Sequence, residues 1–169
     1  MKYDLVIAID PDVDKAGIAI LQTCDKTITL ASHTFPDLID WIPVVAKFPP
    51  ESSHIILVEA GWAINTANYH KGYYDKKGVF HKNSERVNES IATNNGRNHE
   101  TGRKIIEMLK HKGLIVVEQI PLKKTWKGKD GKISHAELSR FMKIKNKTNQ
   151  EERDAALIAW IYAGLPIKM

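Results

Sequence analysis

The hydrophobic and polar positions at the start of the chain form three apolar runs separated by short polar turns. Residues 4–10 are apolar almost throughout, which is typical of a strand covered on both faces of its sheet. The turn PDVDKAG follows, and two further strands are predicted for GIAILQT and TITLASHTF. Because their connections are short, the three strands are predicted to form an antiparallel meander.

The apolar spacing then changes to that of a helix in PDLIDWIPVVAKF, although Pro43 is expected to split or weaken this helix. A buried strand that ends at Glu59 is predicted for SHIILVEAG. The next helix is predicted for NHETGRKIIEMLKHKG, with Gly113 as its stop, and a strand for LIVVEQIP. Two last helices are predicted: SHAELSRFMKI, with Ser134 as its cap and Glu137 at its third position, and TNQEERDAALIAWIYAG.

A long polar and aromatic stretch, residues 60–97, has four glycines and no sustained periodicity. A connection of this length inside a compact domain is usually functional or mobile. The predicted order is β-β-β-α-β, long loop, α-β-α-α, in a single domain over residues 1–169. This order indicates an α/β fold in which the first strand becomes central once later strands add in parallel.

Composition narrows the class of protein. The hydrophobic share is 43%, and no apolar run approaches the roughly 20 residues of a membrane span. The N-terminal residues lack the pattern of a secretion signal, and the lone Cys24 cannot form an internal disulfide. We therefore expect a globular cytoplasmic protein with no membrane association.

Charge is distributed unevenly along the chain. Residues 1–70 carry four Lys and Arg against nine Asp and Glu, whereas residues 71–132 carry fifteen against seven. A basic middle beside an acidic start suggests a polyanion-binding surface next to a carboxylate site. The alternative is that the lysines only keep loops solvated.

Two acidic residues end predicted buried strands. Asp10 closes the first strand and Glu59 closes the fourth. In open α/β sheets such strand ends border the crevice where ligands bind. The alternatives are that Asp10 caps a turn before Pro11 and that Glu59 is a surface charge.

The last predicted helix adds two more carboxylates. Asp154 lies on the stripe of Leu157, Ile158 and Ile161, which is expected to face the sheet. Glu151, three residues earlier, shares the side of Asp154. Both acids also suit the first turn of a helix, where the helix dipole favours negative charge. The remaining nearby acids are interpreted as solvated turn or surface residues: Asp12, Asp14 and Glu152.

Several carboxylates that face one crevice would repel one another in a partly dry site. Hard divalent cations with oxygen ligands remove this conflict, and Mg²⁺ or Mn²⁺ suits a set made only of carboxylates. Two such ions about 4 Å apart can activate a water and stabilise the leaving oxygen of a phosphodiester.

Three segments resemble the signature segments of RuvC-type Holliday junction resolvases in the RNase H-like superfamily: AIDPDVDKAGIAI, ILVEAGW and EERDAALIAW. The resemblance implies an RNase H-like mixed sheet, with an antiparallel three-strand meander and parallel strands flanked by helices. It also implies a catalytic, metal-binding tetrad of Asp10, Glu59, Glu151 and Asp154 that holds two Mg²⁺ or Mn²⁺ ions. The family usually has Asp or His where this chain has Glu151.

The resemblance further implies residues that contact DNA. Trp62, three residues after Glu59, stands where the family has an aromatic that stacks on a base, although a Trp packed on the core is the alternative. Lys124 and Lys132 match loosely the basic residues that precede the last helix. Apart from the resemblance, Arg97 and Arg103 precede or begin a predicted helix and are therefore candidates to hold phosphate.

The predicted function is a metal-dependent, structure-selective endonuclease that cuts phosphodiester bonds in four-way or other branched DNA. A homodimer is expected, without a nucleotide cofactor, and the compact length suits a phage or prophage protein of DNA recombination or repair. Three alternatives stay open. They are an RNase H-like nuclease acting on RNA or an RNA–DNA hybrid, a non-catalytic DNA-binding module, and a fragment of a sugar-kinase or actin-like ATPase.

Overall fold

The computed structural model describes residues 2–48, 51–64, 72–75 and 77–167. The strands are β1 (Leu5–Asp10), β2 (Ala16–Gln22), β3 (Ile28–His33), β4 (His54–Glu59), β5 (Gly72–Tyr74), β6 (Phe80–Lys82) and β7 (Val116–Gln119). The helices are α1 (Phe35–Ala46), α2 (Glu85–His111), α3 (His135–Met142) and α4 (Gln150–Tyr162). Single 3₁₀ turns cover Gly61–Ala63 and Lys129–Gly131. In the described part of the chain, no helix combines the length and apolar character needed to cross a membrane.

The main sheet has five strands in the order β3-β2-β1-β4-β7. β1 pairs antiparallel with β2 and parallel with β4, and β4 pairs parallel with β7. β2 and β3 complete the antiparallel meander. The predicted α/β class and the RNase H-like mixed sheet flanked by helices are confirmed, with β1 at the centre.

The central position of β1 follows from its apolar residues, which alternate between the two faces of the sheet. Leu5, Ile7 and Ile9 pack into a core that α1 and α2 cover. Val6 and Ala8 pack into a second core that α3 and α4 cover. Because both faces of β1 are covered, side chains on both faces are apolar, and the sequence of the strand is a continuous apolar run.

Helix α1 continues through Pro43, so the expectation that this proline splits the helix was wrong. Proline removes one backbone hydrogen bond, but the buried face of α1 packs against the sheet on both sides of it through Leu38, Ile39, Ile42 and Ala46. Packing of the apolar face therefore outweighs the local cost of the proline.

Helix α2 is longer than predicted, because it begins at Glu85 and runs for 27 residues. The segment predicted as a loop thus contains the first turns of α2 and the β5–β6 hairpin, while its residues 65–71 and 76 lie outside the described ones. The buried residues of α2 all lie in its second half: Gly102, Ile105, Ile106 and Leu109. Its first half has no apolar stripe, and so periodicity gave no sign of it.

Capping boxes fix the starts of the last two helices. In α3 the Ser134 side chain accepts a hydrogen bond from the backbone of Glu137, and the Glu137 side chain bonds back to Ser134, as predicted. In α4 Asn149 and Glu152 form the same pair. Glu152 also accepts a hydrogen bond from Ser32 Oγ at 2.8 Å. It is therefore a capping residue that joins α4 to β3, and not the solvated surface residue expected.

Helix α4 lies against the sheet and buries a run of six consecutive residues, Ala155–Trp160. Leu157 and Ile158 are buried as predicted, but Ile161 is 40% exposed, so the predicted stripe was wrong at its last member. Close approach occurs at Gly17, where a Cβ would lie 2.1 Å from the backbone carbonyl carbon of Glu151. Only a residue without a side chain fits between β2 and the start of α4.

Gly17→Ala is expected to destabilise the protein by about 1–3 kcal/mol, because the new methyl group must push α4 away from the sheet. Gly96→Ala is the matched control, since Gly96 lies within α2 and its added methyl group would have no atom within 4 Å. The control should gain about 0.5–1 kcal/mol from helix propensity. Urea denaturation of both variants measures the difference, and a Gly17→Ala protein as stable as the wild type would contradict the close approach.

Candidate active site: an acidic cleft bordered by lysines

The carboxyl ends of β1 and β4 form the floor of a cleft of about 440 Å³. Because the two strands are parallel and Ile9 lies opposite Val58, the next residues, Asp10 and Glu59, come side by side. Asp154 reaches the same cleft from α4. The structure therefore brings together three of the four carboxylates that the sequence singled out, from three separate parts of the chain.

The Asp10 and Glu59 carboxyl groups lie within hydrogen-bond reach of one another, and this contact raises the pKa of Asp10 and lowers that of Glu59. Burial raises the pKa of Asp10 well above its ordinary value, and the charges of Glu59 and Asp154 raise it further. Burial also raises the pKa of Glu59, against the opposing effects of the Asp10 hydrogen bond and of Lys132 and Lys124. The pair thus holds one proton more readily than two separate acids would.

Asp154 has a partner on each of its oxygens. Lys132 Nζ lies 2.8 Å from Oδ2, and Gln150 Nε2 donates to Oδ1 at 2.8 Å. Burial lowers the pKa of Lys132, but the hydrogen bond to Asp154 and the nearby carboxylates outweigh it and raise that pKa overall. The ammonium group is therefore the cation that offsets the acidic cluster in this arrangement.

The donor chemistry of the cleft fits a hard divalent cation. Its acids are crowded enough that the pKa of Asp10 is raised and that Asp154 has an ammonium partner, and carboxylate oxygens are the ligands that Mg²⁺ and Mn²⁺ prefer. Among the described residues, no three His, Cys, Asp or Glu side chains are already arranged as a metal site. Asp154 would have to exchange Lys132 for an ion before it joined Asp10 and Glu59 as a ligand.

Glu151 is not placed with the other three acids. Its backbone packs on Gly17, its side chain is partly exposed, and it does not line the cleft. The first turn of α4 packs on β2 at Gly17, the residue that pairs with Asp10. Its assignment to the metal-binding tetrad stays a prediction.

Trp62 lines the cleft but is also packed on the core that α1 and α2 cover. Its indole Nε1 donates to Glu118 at 3.2 Å, and the Arg103 guanidinium lies 5.1 Å from the centre of its ring. A Cβ on Gly102 would lie 2.6 Å from the ring, so α2 has a glycine where the indole rests. Trp62 is therefore packed on the core, as in the alternative interpretation, and its stacking on a base stays a prediction.

The four basic candidates divide into two pairs. Lys124 and Lys132 line the cleft. Arg97 and Arg103 are exposed on α2 and do not line it, although Arg103 covers Trp62. The cationic surface next to the acids is thus supplied by the loop before α3 and not by α2.

The loop that carries these lysines is held against α3. Glu137, which is buried, accepts hydrogen bonds from the backbone of Lys127 at 3.0 Å and of Ser134 at 2.9 Å. These bonds to backbone N–H groups lower the pKa of Glu137. Trp126 stacks on Phe141 with ring centres 6.2 Å apart. The loop is therefore a fixed wall of the cleft.

Sequence reasoning missed residues that form hydrogen bonds to Asp154 and to the turn after Asp10. Gln150 donates a hydrogen bond to Asp154 and accepts one from Arg153. Asn98 of α2 donates to Asp12 at 3.1 Å and accepts from the backbone of Val13 at 3.1 Å, which fixes the β1–β2 turn that was interpreted as solvated. The spacing of Gln150 and Asp154, four residues apart on a helix, was the one available signal.

The topology and the cleft define an RNase H-like α/β domain with an acidic site at the carboxyl ends of its parallel strands. No protein-family model matches the sequence, and no curated protein matches it. Among solved structures, the chain is similar to T. thermophilus RuvC in complex with a Holliday junction substrate. The identity is 12% and the TM-score 0.49, over 94% of this chain and 92% of that one. A likeness this distant assigns no role to a residue, and the chemistry proposed below depends on the contacts of this chain.

Asp10→Asn is expected to stabilise the metal-free protein by about 1–3 kcal/mol at pH 8, because it removes a buried group that resists ionisation. The Asp10 pKa is raised on folding. The cost is therefore small near pH 4, about the ordinary pKa of an aspartate, where the unfolded carboxyl is only about half ionised, and it grows as the pH rises toward the raised pKa. Urea denaturation in EDTA at pH 4 and pH 8 tests this.

The exposed turn residue Asp14 supplies the control, since Asp14→Asn should change stability by less than about 0.5 kcal/mol at either pH. An Asp10→Asn variant that loses stability at pH 8, or gains equally at pH 4, would show that the carboxyl is not held in the strained environment described.

Proposed function

We propose that the protein is a metal-dependent endonuclease that cleaves phosphodiester bonds in four-way or other branched DNA. The observation that carries the proposal is the meeting of Asp10, Glu59 and Asp154 in one cleft whose rim bears Lys124 and Lys132. The acids suit divalent ions and the lysines suit phosphate, so the cleft suits a phosphodiester substrate that is bound together with divalent ions. The three sequence segments that resemble RuvC-type resolvases support branched DNA as that substrate.

Asp10 and Glu59 would hold the metal, with Asp154 as the third ligand and Glu151 as an assisting residue. Bound Mg²⁺ or Mn²⁺, two ions in the proposal, supplies Lewis-acid activation of a water and charge stabilisation at the leaving oxygen. Asp10 must be ionised to hold the ion. The neighbouring carboxylates raise the pKa of Asp10, whereas the positive charge of a divalent ion would lower it. The protein's part is to hold these carboxylate oxygens close together in a site that is largely shielded from solvent.

The lysines at the cleft would bind the phosphates of the DNA backbone. Lys132, once released from Asp154, keeps its positive charge because the ordinary pKa of a lysine lies far above neutral pH. Lys124 stands beside it on a loop that Glu137 and Trp126 fix. A pair of cations carried on a fixed loop would orient the DNA backbone relative to the acids, and orientation of this kind is a large part of catalysis. Trp62 would offer its ring to a base at the same cleft.

A homodimer is part of the proposal, because two symmetric cuts in a four-way junction need two active sites related by a twofold axis. The first half of α2 has no buried residue in the described chain and leaves a helical surface for a second copy. Sedimentation of the protein alone and with a junction tests this. The phage or prophage setting stays a prediction.

Cleavage of a synthetic four-way junction in Mg²⁺ is expected for the wild type. Asp10→Asn, Glu59→Gln and Asp154→Asn should each lower the rate by roughly a hundredfold or more, since loss of a metal ligand removes several kcal/mol of transition-state stabilisation. Asp14→Asn should cut at the wild-type rate. Gel analysis of single-turnover cleavage measures all five proteins.

The same assay should include a flap, a plain duplex and an RNA–DNA hybrid. Cleavage of the hybrid with the junction left intact would assign a different nuclease substrate to the same site. Junction binding without cleavage, in either Mg²⁺ or Mn²⁺, would leave a DNA-binding module and overturn the proposed activity.

A further inference from the structure

Behind the acidic cleft, a short chain of hydrogen bonds leads from Asp154 to a second cationic residue. Gln150 Nε2 donates to Asp154 Oδ1 at 2.8 Å, and Gln150 Oε1 accepts from an Arg153 terminal nitrogen at 2.8 Å. The guanidinium group thus lies one amide away from the carboxylate. None of the roles assigned above to the acids and lysines uses this chain.

Arg153 also fixes the other partner of Asp154. Its Nε donates to the carbonyl oxygen of Ile133 at 3.0 Å, directly after Lys132 in sequence. Another of its nitrogens donates to the carbonyl oxygen of Thr148 at 2.6 Å, just before the start of α4. One side chain therefore ties together the lysine-bearing loop, the beginning of α4 and the amide that contacts Asp154.

The direction of the Gln150 amide follows from these neighbours. Arginine has only donors, so the amide oxygen must face Arg153 and the amide nitrogen must face Asp154. A direct Arg–Asp pair would instead clamp both carboxylate oxygens in bidentate geometry. The neutral amide occupies one oxygen only and leaves the other to Lys132, a point charge that can be exchanged.

We propose that Gln150 and Arg153 are positioning residues, which hold the Asp154 carboxylate and Lys132 in register so that an incoming divalent ion can replace the ammonium group. The inference rests on the proposed metal site and goes beyond it, because it names what sets the ion affinity. Arg153 acts through Gln150 and through the backbone of Ile133, and it does not contact the substrate. If Arg153 had a purely structural role, only its hydrogen bonds to the carbonyl oxygens of Ile133 and Thr148 would matter.

Gln150→Met separates these roles, because it removes the amide and leaves the bonds from Arg153 to Ile133 and Thr148 intact. Two readouts are the Mg²⁺ concentration that half-saturates the rise in melting temperature and the concentration that half-saturates junction cleavage. Both are expected to increase about three- to tenfold, the range that corresponds to the net contribution of one typical hydrogen bond. The rate at saturating Mg²⁺ should stay close to wild type, and the melting temperature in EDTA should fall less than in Arg153→Lys, which also loses bonds to the backbone.

Gln22→Met is the control for the loss of a glutamine. Gln22 is exposed at the end of β2 opposite the cleft, since Leu5 pairs with it whereas Asp10 pairs with Gly17. This variant should match the wild type in both Mg²⁺ concentrations. A shift as large as that of Gln150→Met would assign the effect to the substitution and overturn the inference.

Arg153→Lys keeps the charge but loses the planar set of donors. It should raise the same two Mg²⁺ concentrations and also lower the melting temperature in EDTA. The double variant with Gln150→Met should show no further increase in either Mg²⁺ concentration, because the two residues act in one chain. Additive increases would mean that Arg153 affects Mg²⁺ binding independently of Gln150, and an Arg153→Lys effect on melting temperature alone would mean that Arg153 only supports the fold; either result would overturn the role of Arg153 in this chain.

The outcomes distinguish this inference from the proposed function. Unchanged Mg²⁺ requirements in Gln150→Met, in a protein whose wild type cleaves junctions, overturn only the inference. A Gln150→Met shift in the thermal response to Mg²⁺, in a protein that cleaves no junction, supports the inference and overturns only the nuclease proposal. A wild type whose melting temperature responds to neither Mg²⁺ nor Mn²⁺ overturns both.

Discussion

The repulsion between carboxylates at the ends of β1 and β4 is the constraint on which the rest of the structure depends. Parallel pairing of these strands places Asp10 beside Glu59, and burial makes two full negative charges there unfavourable. The protein does not disperse these charges. It brings Asp154 to them as well and offsets part of the excess negative charge with Lys132. A site that is strained without a cation is one that gains when a cation binds.

Several features far from one another serve this arrangement. Gly17 lets α4 come close enough to the sheet for Asp154 to reach the strand ends. Glu137 fixes the loop that carries the lysines, and Arg153 connects that loop to the start of α4. The two cores on either face of the sheet hold β1 and β4 in place beneath them. The acidic cleft is thus supported from the sheet, from α4 and from the loop before α3.

Sequence reasoning identified the main strands, the end positions of Asp10 and Glu59 and the capping box of α3, because each depends on local pattern. It failed where the determinant was not local. The first half of α2 has no apolar periodicity to reveal it, and Pro43 stays inside α1 because tertiary packing outweighs its local cost. Glu152, interpreted as solvated, caps α4 and reaches Ser32 on a neighbouring strand.

The sequence by itself determined that two buried strands end in acids and that an acidic helix follows a basic loop, since hydrophobic periodicity and charge are properties of the chain. Only the tertiary structure decided which acids meet. It placed Asp154 in the cleft and Glu151 over Gly17, although the two are three residues apart. It also gave Asp154 its partners in Lys132 and Gln150. The physical reason is that contact between distant residues depends on how closely α4 packs on the sheet, and no local spacing encodes that distance.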